Sequence, residues 1–445
     1  MSATVQPQIE TVAAPLETRS WSVGSRIAFR FCFLYFGLYC LLTQIFWGLL
    51  PIPGLNIDIR ELGTYPPFRN IVIWTAEHVF RYSQPLVYSG SGSGDKVFDW
   101  VQVFCLLVVA LLGTVIWSAL DRRRGHYEQL YKWFRVFIRF AVAGQMFGYG
   151  IVKLVPLQMP FPFLTKLLER YGDFSPMGVL WFSVGASPAY EMFVGSAELL
   201  AGVLLIIPAT TMLGALISLI DMSYVFALNM TYDVPVKLFA FHMILLALFL
   251  LVPERLRIAR FCFQNCAIEA PVTSRLFTKE RANRIAVVVQ VVFGLMMLGT
   301  AAYGARQGWY QYGRGAPKSP FYGIWNVDEM SIDGVVRSPL ITDYDRWRRV
   351  VFDFPQTMQF QRMDDSFAAF AVTFDPKQNT LALKKRTDPK WNGHLTVQRQ
   401  DAGRMTLDGR LGQHAVRMQL SSMDRNKFLL VSRGFHWIQD YPFNR

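Results

Sequence analysis

The stretch "LISLIDMSYVFALNMTYDVPVKLFAFHMILL" (Leu216–Leu246) reads as two apolar runs joined by the tight turn "YDVP" (232–235). A helix needs about 20 mainly apolar residues to cross a bilayer, and both runs extend to about that length. So short a turn makes the two helices antiparallel neighbours. Yet the stretch carries Asp221, Asp233, Lys237 and His242. An ionisable side chain inside a span is costly, and it faces protein or a cavity rather than lipid. These residues predict a membrane hairpin with a polar inner side.

Working outward, seven segments read as spans: 31–50, 99–120, 134–157, 190–208, 211–230, 235–252 and 285–304. The fourth and fifth are also joined tightly, by "PATT" (208–211). The third is the least apolar. The chain of 445 residues is 52% hydrophobic and only 17% charged, against about 25% charged in soluble domains. Its net charge of +13 brings nucleic acid to mind. The basic residues, however, cluster in short loops between apolar runs, where they set topology, so nucleic-acid binding is set aside.

Lys and Arg concentrate before the first span (Arg19, Arg26), in "DRRRGHYEQLYKW" after the second, and after the sixth (Arg255, Arg257, Arg260, Arg275, Lys279, Arg281, Arg284). The positive-inside rule places these regions on the cytoplasmic side of a plasma (inner) membrane. Seven spans then put the C-terminal region in the periplasm or outside the cell. Residues 1–25 are expected to be a polar, disordered cytoplasmic tail rather than a cleavable signal, since they contain no short apolar core. The helical domain is expected over 26–305, with a linker at 306–317. Cys32, Cys40 and Cys105 lie in apolar runs and are expected to pack there. "CFQNC" (262–266) has too few ligands nearby for a metal site. In an outer loop, "FPFLTKLLERYGDF" predicts a short amphipathic helix, lying on the membrane surface or packed on the bundle.

From about residue 318 to 445 the pattern changes to period two. "GHLTVQR" and "HAVRMQL" place Leu395, Val397, Val416, Met418 and Leu420 on one face. "RWRRVVFDF", "TMQFQRM", "FAAFAVTF", "TLALKK" and "KFLLV" add further strands, and "LDGRLG" reads as a turn between two of them. The count fits a small antiparallel all-β barrel or sandwich. "YGIWNV", with Gly323 and Trp325, resembles the Gly-x-Trp opening of lipocalin-like barrels. Such a barrel holds one small apolar ligand, or its own side chains fill it.

The polar residues within the spans are the candidate site. At ~1.5 Å per helical residue, Glu198, Asp221 and His242 lie roughly 12, 13 and 10 Å below the outer surface. Tight turns make their helices neighbours, so the three are expected to converge as proton-handling groups. Gln145, Tyr149 and Lys153, spaced i, i+4 and i+8, share one face of the third span. Together with Lys237 they are the candidate substrate-binding residues. The alternative is that the lysines reach for the interface, and that Asp221 and His242 only tie helices together. Around Glu198, "GSAELLAG" supplies the small residues that let a neighbouring helix come close.

The segments "GYGIVKLVPLQM" (148–159), "GSAELLAGVLLIIPATTMLGALISL" (195–219) and "NMTYDVPVKLFAFHMILLALFLLVPE" (229–254) resemble the DoxX-like membrane proteins over about residues 130–255. The resemblance implies a four-helix membrane core, here the third to sixth spans. It carries over Lys153, Glu198 and Lys237 as recurrent polar positions, with Asp221 a departure. It also implies a link to thiosulfate:quinone oxidoreduction or to complexes handling thiol stress. The expected function is a redox-linked membrane subunit acting on a quinone as substrate, with no resident cofactor motif, in the lipid bilayer beside a soluble oxidoreductase partner. The competing expectations are a membrane-anchored protein that binds or transfers a lipid or other apolar ligand, and a structural anchor.

Overall fold

The computed structural model describes residues 20–50, 52, 61–264, 275–388 and 390–444. The helical part runs α1 (Val23–Leu42), α2 (Ile45–Gly48), α3 (Phe68–His78), α4 (Val97–Leu120), α5 (Glu128–Leu154), α6 (Leu164–Leu168), α7 (Pro176–Gly185), α8 (Pro188–Ile206), α9 (Thr211–Thr231), α10 (Lys237–Leu251), α11 (Arg255–Phe263) and α12 (Glu280–Gln311). Among the described residues, six helices are long and apolar enough to cross a membrane: α1, α4, α8, α9, α10 extended into α11, and α12. On α4, Leu112, Val115 and Ile116 lie exposed, as do Val288 and Leu295 on α12. Apolar surface facing outward on long helices belongs in lipid, and the chain is a multi-pass helical membrane protein.

The expected third span is α5, and it is the interior helix. It carries Lys132, Arg135, Arg139 and Lys153, yet its buried residues include Arg139, Gln145 and Lys153. Polar groups are tolerated there because α1, α8, α10 and α12 pack against it, so lipid does not reach them.

The first expected span is shifted. Its helix begins at Val23, where the Ser22 side chain accepts from the Ser25 N–H, and ends at Leu42. Arg30 does not end it, because its guanidinium is satisfied inside the protein. It donates to Ser118 Oγ (2.8 Å), the Asp121 carbonyl (2.9 Å) and the Tyr127 hydroxyl (2.6 Å). The last helix also outruns its expectation and occupies the first half of the predicted linker.

The C-terminal part is a closed antiparallel barrel of eight strands: β1 (Gly323–Ile332) and β3 (Trp347–Phe352) to β9 (His414–Met423), with a two-residue β2 (Val335–Val336) extending one edge. Between them lie β4 (Thr357–Arg362), β5 (Phe367–Asp375), β6 (Thr380–Lys384), β7 (Asn392–Arg399) and β8 (Arg404–Leu411). Pairing of β1 with β9, from Ile324↔Met423 to Ile332↔Val416, closes the ring. The period-two residues point inward: Leu395, Val397, Val416, Met418 and Leu420 are all core. Trp325 of the Gly-x-Trp motif is buried, and its indole N–H donates to the Phe321 carbonyl (2.9 Å).

One strand expectation fails and one turn is displaced. "KFLLV" ends a 3-10 turn and begins the short helix α13 (Leu429–Ser432), because the β1–β9 pairing leaves no free edge for another strand. "LDGRLG" (407–412) is strand up to Leu411, and the turn between β8 and β9 begins at its last residue, Gly412. Gly409 sits inside β8 because a Cβ there would lie 2.0 Å from the His394 carbonyl oxygen. The turn glycine is Gly412, with φ +64°.

The outer-loop helix α6 docks on the barrel. Leu164 packs with Ile324 and Val351, outward-facing residues that it covers, and its N–H donates to Asp353 Oδ2 (2.8 Å). Phe163 and Phe354 meet edge to face at 5.3 Å.

Candidate functional site

The site begins with two glycines. A Cβ on Gly195 would lie 2.7 Å from the Gly150 carbonyl oxygen and 2.6 Å from the Leu154 nitrogen. A Cβ on Gly150 would lie 2.8 Å from the Leu199 nitrogen. Backbone touches backbone where α5 crosses α8, as small residues permit. One turn beyond each glycine stand Lys153 and Glu198, which this crossing brings face to face. Lys153 Nζ lies 2.5 Å from Glu198 Oε1, and the residues are 6% and 0% exposed. That burial removes both groups from bulk water, so the ion pair is the main compensation for two buried charges.

The pair is incompletely satisfied. Among the described residues, neither Glu198 Oε2 nor Asp221 Oδ2 has a hydrogen-bond partner. Asp221, on α9, lies close enough for the charges of Glu198 and Lys153 to act on it. On the other side, Lys153 Nζ stands 5.5 Å from the centre of the Tyr149 ring. The Tyr149 hydroxyl accepts from Gln44 Nε2 (3.0 Å). Gln145 is buried one turn earlier, beside Gly48, where a Cβ would meet its amide nitrogen at 2.5 Å.

His242 and Lys237 stand elsewhere. His242 Nδ1 lies 2.6 Å from the Leu238 carbonyl and therefore carries the proton. Its Nε2 then accepts from the Tyr35 hydroxyl (2.7 Å). The ring stacks on Tyr39 at 3.8 Å. Both nitrogens are satisfied by α10 itself and by α1, so this histidine ties α1 to α10. Lys237 opens α10 at the surface, 3.1 Å from Asp233 and 3.8 Å from Asp95. Asp95 also accepts the Lys237 and Leu238 N–H groups (2.8 and 2.9 Å), which caps that helix. The three-way convergence of Glu198, Asp221 and His242 is thus reduced to Glu198 and Asp221, with Lys153 between α5 and α8.

A Bacillus subtilis (strain 168) protein that bears the name "Uncharacterized protein YwoB" is 31% identical over 146 residues, which cover 33% of this chain and 87% of that protein. The chain belongs to the YwoB family. Membership rests on a third of the chain, and the remaining two thirds lie outside the match to YwoB. No family model and no solved structure matches.

Sequence reasoning missed three polar groups. Glu191 is completely buried, two turns before Glu198 on the same face of α8, and its Oε1 accepts from the Met159 N–H (2.8 Å). The i, i+7 spacing of the two glutamates was its legible signal. Glu61 and Asp99 line a small cavity of about 50 Å³ with Tyr39, Gln44 and Gln102. Through Gln44 that cavity reaches Tyr149, and through Tyr149 the lysine. These partners come from residues distant in sequence, and no local spacing announced them. Among the described residues, no group of three or more His, Cys, Asp or Glu is arranged to hold a metal ion. Cys262 is an exposed free thiol, while Cys266 lies outside the described residues.

Proposed function

We propose that this is a DoxX-like membrane subunit whose Lys153–Glu198–Asp221 cluster moves protons for a quinone- or thiol-linked redox reaction in the outer half of the bilayer. In this reading the N-terminus is cytoplasmic and the barrel lies in the periplasm or outside the cell, which the distribution of basic loops supports. The observation that carries the reading is Glu198, a fully buried carboxylate with one oxygen on Lys153 and the other unpartnered beside a second carboxylate. Intramembrane carboxylates of this kind mark proton relays. Reduction of a quinone by two thiols gives a quinol and a disulfide, so two protons leave sulfur and two reach oxygen. With thiosulfate as donor, two thiosulfates couple to tetrathionate and the two protons come from the medium. Glu198 and Asp221 carry them, Lys153 holds the anionic form, and the Gln44–Tyr149 link connects the cluster to the cavity lined by Glu61 and Asp99. His242 has no free nitrogen and takes no part.

The test is quinone reduction by the purified protein with thiosulfate and with dithiols as donors. Glu198→Gln and Asp221→Asn should lower turnover by about 100-fold, the usual scale for a lost proton-transfer group, while Lys237→Met should leave it unchanged. Turnover retained in Glu198→Gln sinks the assignment.

The barrel supports a second reading, capture of a flat apolar ligand at its mouth. Trp347 stacks on Phe360 at 4.0 Å, Phe360 on Phe370 at 5.2 Å, and Phe370 on Trp391 at 4.8 Å with an interplanar angle of 3°. A cleft of about 1140 Å³ opens over these rings and spreads across the rim to Gln359 and Ala369 on the outer face. Deeper in, side chains fill the barrel, with Val350, Met358, Leu395, Leu407 and Met418 at zero exposure. Mass spectrometry of small molecules released from the whole protein tests this reading. A bound aromatic or isoprenoid compound lost in Trp391→Ala supports it, and an empty protein counts against it.

A further inference from the structure

The helical bundle contains a cavity that the redox reading does not use, with a volume of about 680 Å³, between α5, the start of α9, α11 and α12. Lys132, Arg135, Arg139, Arg257, Arg275 and Arg284 line it, against the single carboxylate of Glu254. Topology alone explains basic loops. It does not explain six cations from four separate segments lining one half-open cavity.

Among the described residues, partners inside the protein do not balance this charge. Lys132, Arg257 and Arg275 have carboxylates at 2.8, 3.1 and 3.4 Å, in Glu128, Glu254 and Glu280. Among the described residues, Arg135, Arg139 and Arg284 have no carboxylate partner. Arg135 donates to the Leu250 carbonyl (3.1 Å). Arg139 is 6% exposed, and donates to Gln290 of α12 and to Thr211 of α9 (3.4 Å). Its Nε, like that of Arg257, is buried with no acceptor. A buried guanidinium with an idle N–H calls for an acceptor, and further unbalanced arginines beside it favour an anionic one. The N-terminal turn of α9, Thr210–Leu213, forms another wall, and its positive end favours the same sign of ligand.

We infer that this cavity binds a phosphate-bearing anion, clasped between Arg139 below and Arg257 and Arg284 at its rim. Guanidinium forks match the planar edges of phosphate oxygens. Basic pockets between membrane helices hold anionic lipid headgroups in this way. The apolar part of the wall, with Val136, Leu213 and Val287, matches an acyl chain leaving the headgroup.

Full-length protein, delipidated in detergent, would be titrated with short-chain phosphatidylglycerol, short-chain phosphatidylcholine and inorganic pyrophosphate. Binding of phosphatidylglycerol but not of the other two identifies a lipid headgroup as the source. Binding of pyrophosphate as well identifies a soluble phosphate anion. In either case Arg257→Gln with Arg284→Gln should weaken binding by about thirtyfold, at roughly fivefold per cation. Arg255→Gln with Arg281→Gln removes the same charge from neighbouring positions outside the cavity and should leave affinity within about twofold, an effect worth under half a kcal/mol. The inference is overturned if nothing binds, if the two lipids bind alike, or if the two double variants weaken binding equally.

Discussion

Removing Lys153 alone should cost the helical bundle about 3–4 kcal/mol, whereas removing Lys153 and Glu198 together should cost far less. The magnitude follows from the burial of the pair. Lys153 and Glu198 are 6% and 0% exposed and their charged atoms are 2.5 Å apart. In Lys153→Met, Glu198 has two options. It remains an unpaired buried carboxylate, a situation that costs about 3–5 kcal/mol when one partner of a buried pair is lost. Or it takes up a proton, which for a carboxyl of ordinary acidity costs about 3.7 kcal/mol at neutral pH, at 1.36 kcal/mol per pH unit. The cheaper route sets the limit. In the double variant, Lys153→Met with Glu198→Met, no charge is left behind and similar volumes are refilled, so the loss should fall to about 1 kcal/mol or less. The gap of about 2–3 kcal/mol between Lys153→Met and the double variant, with Glu198→Met closing the double-mutant cycle, is measured by reversible unfolding of the full chain in mixed micelles. Additive single losses, or a Lys153→Met cost below about 1 kcal/mol, would refute the view that this pair is desolvated and mutually compensating.

The remaining predictions probe the framework. Gly195→Ala should destabilise by about 1–3 kcal/mol through overpacking, since its Cβ meets the backbone of α5 at 2.6 Å. Gly148→Ala, with nothing within 4 Å, should be neutral or stabilise by about 0.5–1 kcal/mol through helix propensity. Thermal melts of the two variants check the contrast. In the barrel, burial raises the Asp353 carboxyl above its usual range, partly offset by the Leu164 N–H and by Lys318 and Arg425. An acid raised in the docked state stabilises docking below its ordinary pKa, and the contribution is lost as pH rises through the raised value. Protection of the Leu164 amide from hydrogen exchange, corrected for intrinsic rates, should therefore fall as pH rises above the ordinary carboxylate range. Asp353→Asn should abolish the trend, and a trend surviving in that variant contradicts the assignment. Finally, Arg346, at 2% exposure, donates to the carbonyls of Trp347, Val327 and Arg337. Arg346→Met strands these acceptors and should cost about 2–3 kcal/mol, measured on the barrel's share of the unfolding signal.

What the sequence made legible follows a physical divide. Patterns set by local periodicity were readable: the long apolar runs, the inward alternation from Leu395 to Leu420, and the small residues beside Glu198. The i, i+4, i+8 face of α5 was readable for the same reason. Partners supplied by long-range packing were not. Depth in the bilayer placed His242 level with Glu198, but depth says nothing about azimuth. The hydrogen bond from Tyr35, on a helix more than 200 residues away, turns the imidazole toward α1. Lys237 was one turn too close to the surface to reach the cluster, and Asp95 claims the helix start it opens. Arg139 lies in the span read from sequence as the least apolar. In the structure it is buried in the helix that the bundle surrounds. The helix with the weakest claim to be a membrane span therefore holds both charged sites. Other helices shield its polar faces from lipid, and the same shielding leaves Lys153 at one end dependent on Glu198 and Arg139 toward the other on Gln290 and Thr211.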